Sequence, residues 1–328
     1  MVKYHSQLPA SAVIHNSQFT IHHSQFTIHY THPPNPFHPF HPFHTLNPMP
    51  PILTLSLLFA GYCTQSERFL FRDGGQRTVR FPATCALLEH PERGLILYDT
   101  GYSERFFTET AHWPFGIYRK MTPVFLRPEE TAAAQLRRLG VEPAEIETVI
   151  LSHFHADHIA GVMDFPGARF RYFATAYQAV RGKRGLAALR AAYLPGLLPA
   201  DFEQRSDPVA DSALEPLPAD FSPFVTGVNL LGDGSLWGIP VPGHAAGQMA
   251  LLVQTRAGWV LLAADALWHS RAYREAVLPN PLVRLIFDDW VDYCASFAAI
   301  CELHRRHPDI RIIPAHCEEV WGNWKDLR

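Results

Sequence analysis

Three imidazoles and a carboxylate crowd into His153-Phe154-His155-Ala156-Asp157-His158, directly after a short apolar strand expected over 148–151. Residues two apart on an extended segment point the same way, so His153 and His155 can aim two rings at one point. If the chain then turns into a helix near Asp157, the Asp157 carboxylate and the His158 imidazole leave its first turn and meet at a second point nearby. Imidazole and carboxylate together suit zinc, and also iron or manganese, and the absence of cysteine from the cluster disfavours a closed structural site. One histidine alone would read as a surface or hydrogen-bonded core residue. The whole cluster at a strand end reads as metal binding.

Such a cluster needs rigid elements behind it. Period-two apolar runs predict strands over 52–59, 78–88, 94–98, 148–151, 235–241, 250–254, 259–263 and 310–313. Alanines, leucine spacing and a charged outer face predict a helix over 129–139, ended by Gly140, and a second helix runs over about 289–306. The irregular segments 102–128 and 194–226 are expected to wall or cover a pocket. No Pro/Gly/Ser linker divides 49–328, so this stretch reads as one sheet-rich α/β domain.

The chain has 328 residues, with 28 basic against 31 acidic and a formal net charge of −3. That balance excludes a general polyanion binder, and 47% hydrophobic residues exclude wholesale disorder. Five scattered cysteines without a CxxC pair argue against a disulfide framework or a cysteine-ligated zinc. The longest apolar run, about ten residues from Ile52, is too short to span a bilayer. Residues 1–48 differ from the rest. They hold nine of the 19 histidines, repeat SQFTIH, and continue as PFHPFHPFH. Dense proline and short repeats give no packed core, so this stretch reads as a disordered, low-complexity extension, with translation expected to begin at Met49. It lacks the charged start and cleavage site of a signal peptide, and the expected compartment is the cytoplasm.

HxHxDH resembles the signature of the metallo-β-lactamase superfamily. Further elements of that family follow the same order along 49–328: Asp99-Thr100-Gly101 resembles its early turn, Pro242-Gly243-His244 its mid-chain histidine, Ala264-Asp265-Ala266 its bridging aspartate, and Pro314-Ala315-His316 its C-terminal histidine. The resemblance implies a four-layer αββα sandwich with the metal site at one edge. It further implies that His153, His155 and His244 hold a first divalent ion and that Asp157, His158 and His316 hold a second. Asp265 would bridge them, and Asp99 would orient a ligand by hydrogen bonding. Zinc is the expected metal. Each of the three later residues also follows an expected strand, where a loop can turn a side chain into a shared site.

Two ions about 3.5–4 Å apart can hold a hydroxide between them at neutral pH. The expected reaction is hydrolysis of a carbonyl ester, lactone or thioester, with Asp157 passing on the proton. A mononuclear-iron persulfide dioxygenase and a phosphodiesterase are the alternatives on the same fold. The layout is most similar to the small lactonase and thioesterase-like members, although acyl-homoserine lactonases carry tyrosine where this chain has Trp268, and Tyr273 is the available substitute. The expected partner is a small-molecule substrate, with neither nucleic acid nor membrane, and oligomeric state is left open. Phe106, Phe107, Trp113, Phe115, Tyr118, Phe125, Tyr193, Leu197, Leu198 and Trp268 are expected pocket residues. The basic stretch Arg169, Arg171, Arg181, Lys183, Arg184 and Arg190 reads as a solvated helix face rather than an anion-contacting rim.

Overall fold

Among the described residues, thirteen strands in two sheets position the cluster. The computed structural model describes residues 49–323. The reading of 1–48 as disordered lies outside the described residues. The first sheet contains β1 (Thr54–Ser66), β2 (Thr78–His90), β3 (Gly94–Tyr98), β4 (Val124–Phe125), β5 (Ile146–Ile150), β6 (Arg169–Phe173) and β7 (Ser206–Val209), in the order β4-β1-β2-β3-β5-β6-β7. The second contains β8 (Glu215–Pro216), β9 (Thr226–Asn229), β10 (Leu236–Pro240), β11 (Met249–Thr255), β12 (Gly258–Leu262) and β13 (Arg311–Ile313), ordered β13-β12-β11-β10-β9-β8. The sheets meet where the Leu53 N–H donates to the Gln254 carbonyl at 2.9 Å.

Successive side chains on a strand face opposite ways, and here both ways are apolar. Ala86 and Leu88 of β2 and Ile96 and Tyr98 of β3 share one buried cluster with Met249, Leu251 and Val253 of β11 and Leu262 of β12. The residues between them, Leu87, Leu97, Ala250, Leu252 and Leu261, belong to the other cluster, which includes Leu136 of the helix Ala132–Arg138 and Phe297, Ile300 and Leu303 of the helix Trp290–Arg306. Strands buried on both faces are what sheet-on-sheet packing with helices outside requires. The result is the expected αββα sandwich.

Two departures from the sequence expectation have local causes. The first strand extends from 59 to Ser66, because Gly61, at φ +75°, makes a bulge rather than an end: the register with β2 shifts between Phe59 and Tyr62, next to Pro82. The basic stretch is not one helix face. Arg169 and Arg171 lie on β6, Arg181 caps the helix Ala174–Val180, Lys183 lies in the loop that follows, Arg184 is the extended N-cap of the helix Gly185–Arg190, and Arg190 ends that helix. The long C-terminal helix starts where Asp289 accepts from the Val291 and Asp292 N–H groups at 2.7 and 2.9 Å. Among the described residues no helix is long and apolar enough to cross a membrane.

Candidate metal centre

Five strand ends deliver the predicted residues to one place. Asp99 follows β3, the segment 152–158 follows β5, His244 follows β10, Asp265 follows β12, and His316 follows β13. Cross-links lock these loops: the Met249 N–H donates to the Ser152 carbonyl at 2.9 Å, the Thr100 hydroxyl to the His158 carbonyl at 2.8 Å, and the Ala315 N–H to the Leu267 carbonyl at 3.2 Å. All seven predicted donors converge. Ligand atoms of His153, His155 and His244 lie within 4.8 Å of one another, as do those of Asp157, His158 and His316, and those of His153, His158 and Asp265.

The far sides of three rings are tied to acceptors. The His158 Nδ1–H donates to Asp99 Oδ2 at 2.7 Å. The Ser152 hydroxyl donates to the same oxygen at 2.8 Å, so Ser152 Oγ is free to accept from His153 Nδ1–H at 2.9 Å. The His316 Nδ1–H donates to the Pro82 carbonyl at 2.9 Å. Each bond fixes the tautomer and turns the Nε2 lone pair inward, as outer partners of metal-ligating imidazoles do. The inward atoms have little else to bind. His153 Nε2, His158 Nε2 and Asp265 Oδ1 are buried without a hydrogen-bond partner, and His158 Nε2 faces Asp265 Oδ1 at only 3.1 Å. His155 Nδ1 and His244 Nε2 face each other at 2.9 Å. A proton shared across either pair would satisfy it, and so would a divalent cation, which a mixture of imidazole nitrogens and carboxylate oxygens suits.

Electrostatics divide the histidines into two groups, with His153, His155 and His244 lowered and His158 and His316 raised beside the carboxylates. Burial pushes the His153 and His244 imidazoles well below their usual range and brings His155 down to about 4, which leaves all three as neutral donors at neutral pH. Burial also opposes charge on His158, but Asp99, Asp157 and Asp265 outweigh it and raise that ring well above its ordinary value. Asp265 is held well below the usual carboxylate range: burial resists ionisation, and His316, His244 and His158 overcome it. Asp157 is the most open of the carboxylates, with 13% of its side chain exposed against 4% for Asp265.

Sequence reasoning missed Ser152 and the Pro82 carbonyl. It also left the Trp268 indole without a partner, whereas its Nε1–H donates to Asp265 Oδ2 at 3.0 Å. Tyr273 packs edge-on to His304 at 4.8 Å. Of the expected pocket residues, Phe106 and Leu197 are wholly buried core, and Phe125 stacks on Tyr62 at 5.2 Å. A second group, His269, Cys317 and Glu319, also brings ligand atoms within 4.8 Å. Its members are already engaged: His269 Nδ1 accepts from the Arg271 N–H, Cys317 Sγ meets Ser270, and Glu319 pairs with Arg274.

Residues 78–293 match the sequence profile of the metallo-beta-lactamase superfamily. A probable metallo-hydrolase of Mycobacterium tuberculosis is 30% identical over 252 residues, covering 73% of this chain and 76% of the relative. An N-acyl homoserine lactonase of Azorhizobium caulinodans is 26% identical over 255 residues, covering 77% and 88%. A solved N-acyl homoserine lactone hydrolase, with N-hexanoyl-L-homoserine bound at its catalytic metal center, shares the fold at a TM-score of 0.62 with 20% identity, covering 84% of this chain and 97% of that one. The profile match, spanning most of a domain whose strand ends bring His153, His155, Asp157, His158, His244, Asp265 and His316 together, makes this chain a metallo-hydrolase that belongs to the metallo-beta-lactamase superfamily.

Proposed function

We propose that this protein cleaves a carbonyl ester, lactone or thioester with two divalent ions, zinc foremost. His153, His155 and His244 would hold the first, Asp157, His158 and His316 would hold the second, and Asp265, grouped with His153 and His158, would serve both. The observation that carries this reading is the set of inward atoms left unpartnered at His153 Nε2, His158 Nε2 and Asp265 Oδ1. Relatives named as N-acyl homoserine lactonases support an acyl bond. Bound ions supply an acidic water and a Lewis acid for the acyl oxygen.

The protein's own groups do the rest. Asp157, at the open side, accepts the proton of the attacking water and returns it to the leaving oxygen or sulfur. Asp99 and Ser152 hold the His158 and His153 rings in register, so the donors need no reorganisation during turnover. Trp268 and Phe287 stand edge-on to His244 at 5.8 and 4.9 Å. An acyl chain buried against such rings gains about 0.8 kcal/mol per methylene, whereas a phosphodiester calls for fixed cations. The Trp268 N–H is spent on Asp265, so it does not replace a substrate-binding tyrosine hydroxyl.

The test is a side-by-side assay of the purified, zinc-loaded protein on an aryl ester, a lactone, a thioester and a bis-aryl phosphodiester. Acyl substrates are expected to turn over faster. A phosphodiester that wins by roughly tenfold, about 1.4 kcal/mol in barrier, overturns the reading.

A further inference from the structure

A cavity of about 460 Å³ is lined by Phe115, Tyr193, Pro195, Gly196 and the loop Gly182-Lys183-Arg184-Gly185, and the Glu109 carboxylate packs against Gly196. The cavity adjoins the metal centre through the backbone. Tyr193 follows Ala192, whose carbonyl accepts the N–H of Ala156 at 3.2 Å, and Ala156 stands between His155 and Asp157. The volume suits a small organic ligand.

Three neighbouring arginines are paired, whereas, among the described residues, the two cations at the cavity are not. Arg171 pairs with Asp207 at 2.9 Å, Arg181 with Glu203 at 2.9 Å, and Arg205 with Asp201 at 3.1 Å. Lys183 and Arg184 line the cavity, and among the described residues neither has a carboxylate partner. Gly182 and Gly185, at φ +74° and +55°, reverse the backbone on either side of the pair, a conformation costly for other residues. So the chain presents two adjacent cations in a short loop, neither in an ion pair among the described residues, beside the rings of Phe115 and Tyr193, with the Glu109 carboxylate the nearby acidic group against Gly196. A guanidinium fork beside an ammonium matches the oxygens of a carboxylate or phosphate.

We propose that this cavity recognises an anionic group on the substrate, held by Lys183 and Arg184 while Phe115 and Tyr193 pack against the carbon skeleton. The proposal rests on the acyl-hydrolase reading above and narrows its substrate class to esters, lactones or thioesters that carry a carboxylate or phosphate away from the scissile bond.

Two matched pairs of compounds test it on the zinc-loaded protein. Monomethyl adipate against methyl hexanoate places a carboxylate on the acyl side. A hexanoyl thioester of phosphopantetheine against that of N-acetylcysteamine places a phosphate on the leaving side. In at least one pair the anionic member is expected to show kcat/KM higher by roughly tenfold, through KM, with the advantage shrinking as salt rises. K183A/R184A should bring that ratio near one, and K183R/R184K should keep it; the pair that responds identifies the source of the anion. No charge preference in either pair, or a preference that survives K183A/R184A, overturns the proposal. If none of the four compounds is turned over, the acyl reading is judged by the aryl-ester and lactone assay above. Calorimetric binding then still decides the cavity: tighter binding of the anionic members that is lost in K183A/R184A supports it, and equal binding overturns it.

Discussion

The indole Nε1–H of Trp268 donates to Asp265 Oδ2 at 3.0 Å, and the same oxygen lies 3.0 Å from His316 Nε2 and 3.2 Å from His244 Nε2. Trp268 therefore fixes the carboxylate that faces both halves of the donor cluster. Trp268→Phe keeps an aromatic ring against Phe81, His244 and Phe287 but removes the donor. Metal affinity is expected to fall by roughly tenfold, the usual scale for losing an outer partner, with little change in melting temperature of the metal-free protein. Chelator competition measures it.

Asp265 itself is the stronger lesion. Asp265→Asn removes the charge that His158, His244 and His316 face, so metal content and hydrolysis should fall together while circular dichroism stays that of the folded protein. Full metal loading with normal turnover in that variant would remove Asp265 from the ligand set. Metal analysis of the unaltered protein should give two ions per chain.

Asp99 acts one bond further out. Its two oxygens accept from the Ser152 N–H, the Ser152 hydroxyl and His158 Nδ1–H, all within 2.8 Å. In Asp99→Asn the amide can present an N–H to His158 Nδ1, which favours the tautomer whose proton points into the site. The expected outcome is a loss of about 10–100-fold in metal affinity, read by zinc titration, with ester turnover restored at high zinc.

Gly243 shows how tightly the loop before His244 is built. At φ +119°, a Cβ there would lie 2.0 Å from the backbone nitrogen of Tyr293 and 2.3 Å from its Cα, at the start of the long helix. The Gly243 carbonyl also accepts from the Asp289 N–H at 3.0 Å. Gly243→Ala must push this loop off the helix, at a cost of about 3 kcal/mol. A clearly lowered melting temperature with reduced metal retention should follow.

How far the site could be read from sequence depended on the range of the contacts. His153, His155, Asp157 and His158 were legible because their geometry is local: alternation on an extended segment followed by one helical turn. His244, Asp265 and His316 were legible only as short motifs at strand ends. The atoms that orient these residues were not. Pro82 and His316 are 234 positions apart, and nothing in a proline marks its carbonyl as the acceptor for a ring that arrives from the last strand. The strands were readable from alternation, yet the first was expected to stop at 59, just before the Gly61 bulge, because a bulge and a terminus call for the same residue. Apolar residues gave the least information about the pocket. Phe106 and Phe115 look alike in sequence, but the first is core and the second lines the cavity beside Lys183.

The last prediction concerns acid stability at a corner away from the metal. His90 Nδ1 accepts from the N–H groups of Glu92 and Arg93 at 3.1 and 3.0 Å, so its Nε2 carries the proton and donates to Asp233 Oδ2 at 2.9 Å. Asp233 also accepts from the Ser235 N–H and hydroxyl. Partial burial works against ionisation of Asp233, but the Ser235 and His90 hydrogen bonds outweigh it and hold the carboxyl below its ordinary value. A lowered folded-state value means that the unfolded chain takes up the proton first. The contribution is thus complete above the ordinary carboxylate value of about 3.9 and fades as the pH falls through the lower folded-state value. Asp233→Ala should therefore melt about 1–3 °C below the parent at pH 7, a modest figure because the pair is partly solvated, and the gap should narrow below about pH 4. A gap that widens on acidification would mean that Asp233 is protonated in the folded protein and acts there as a donor.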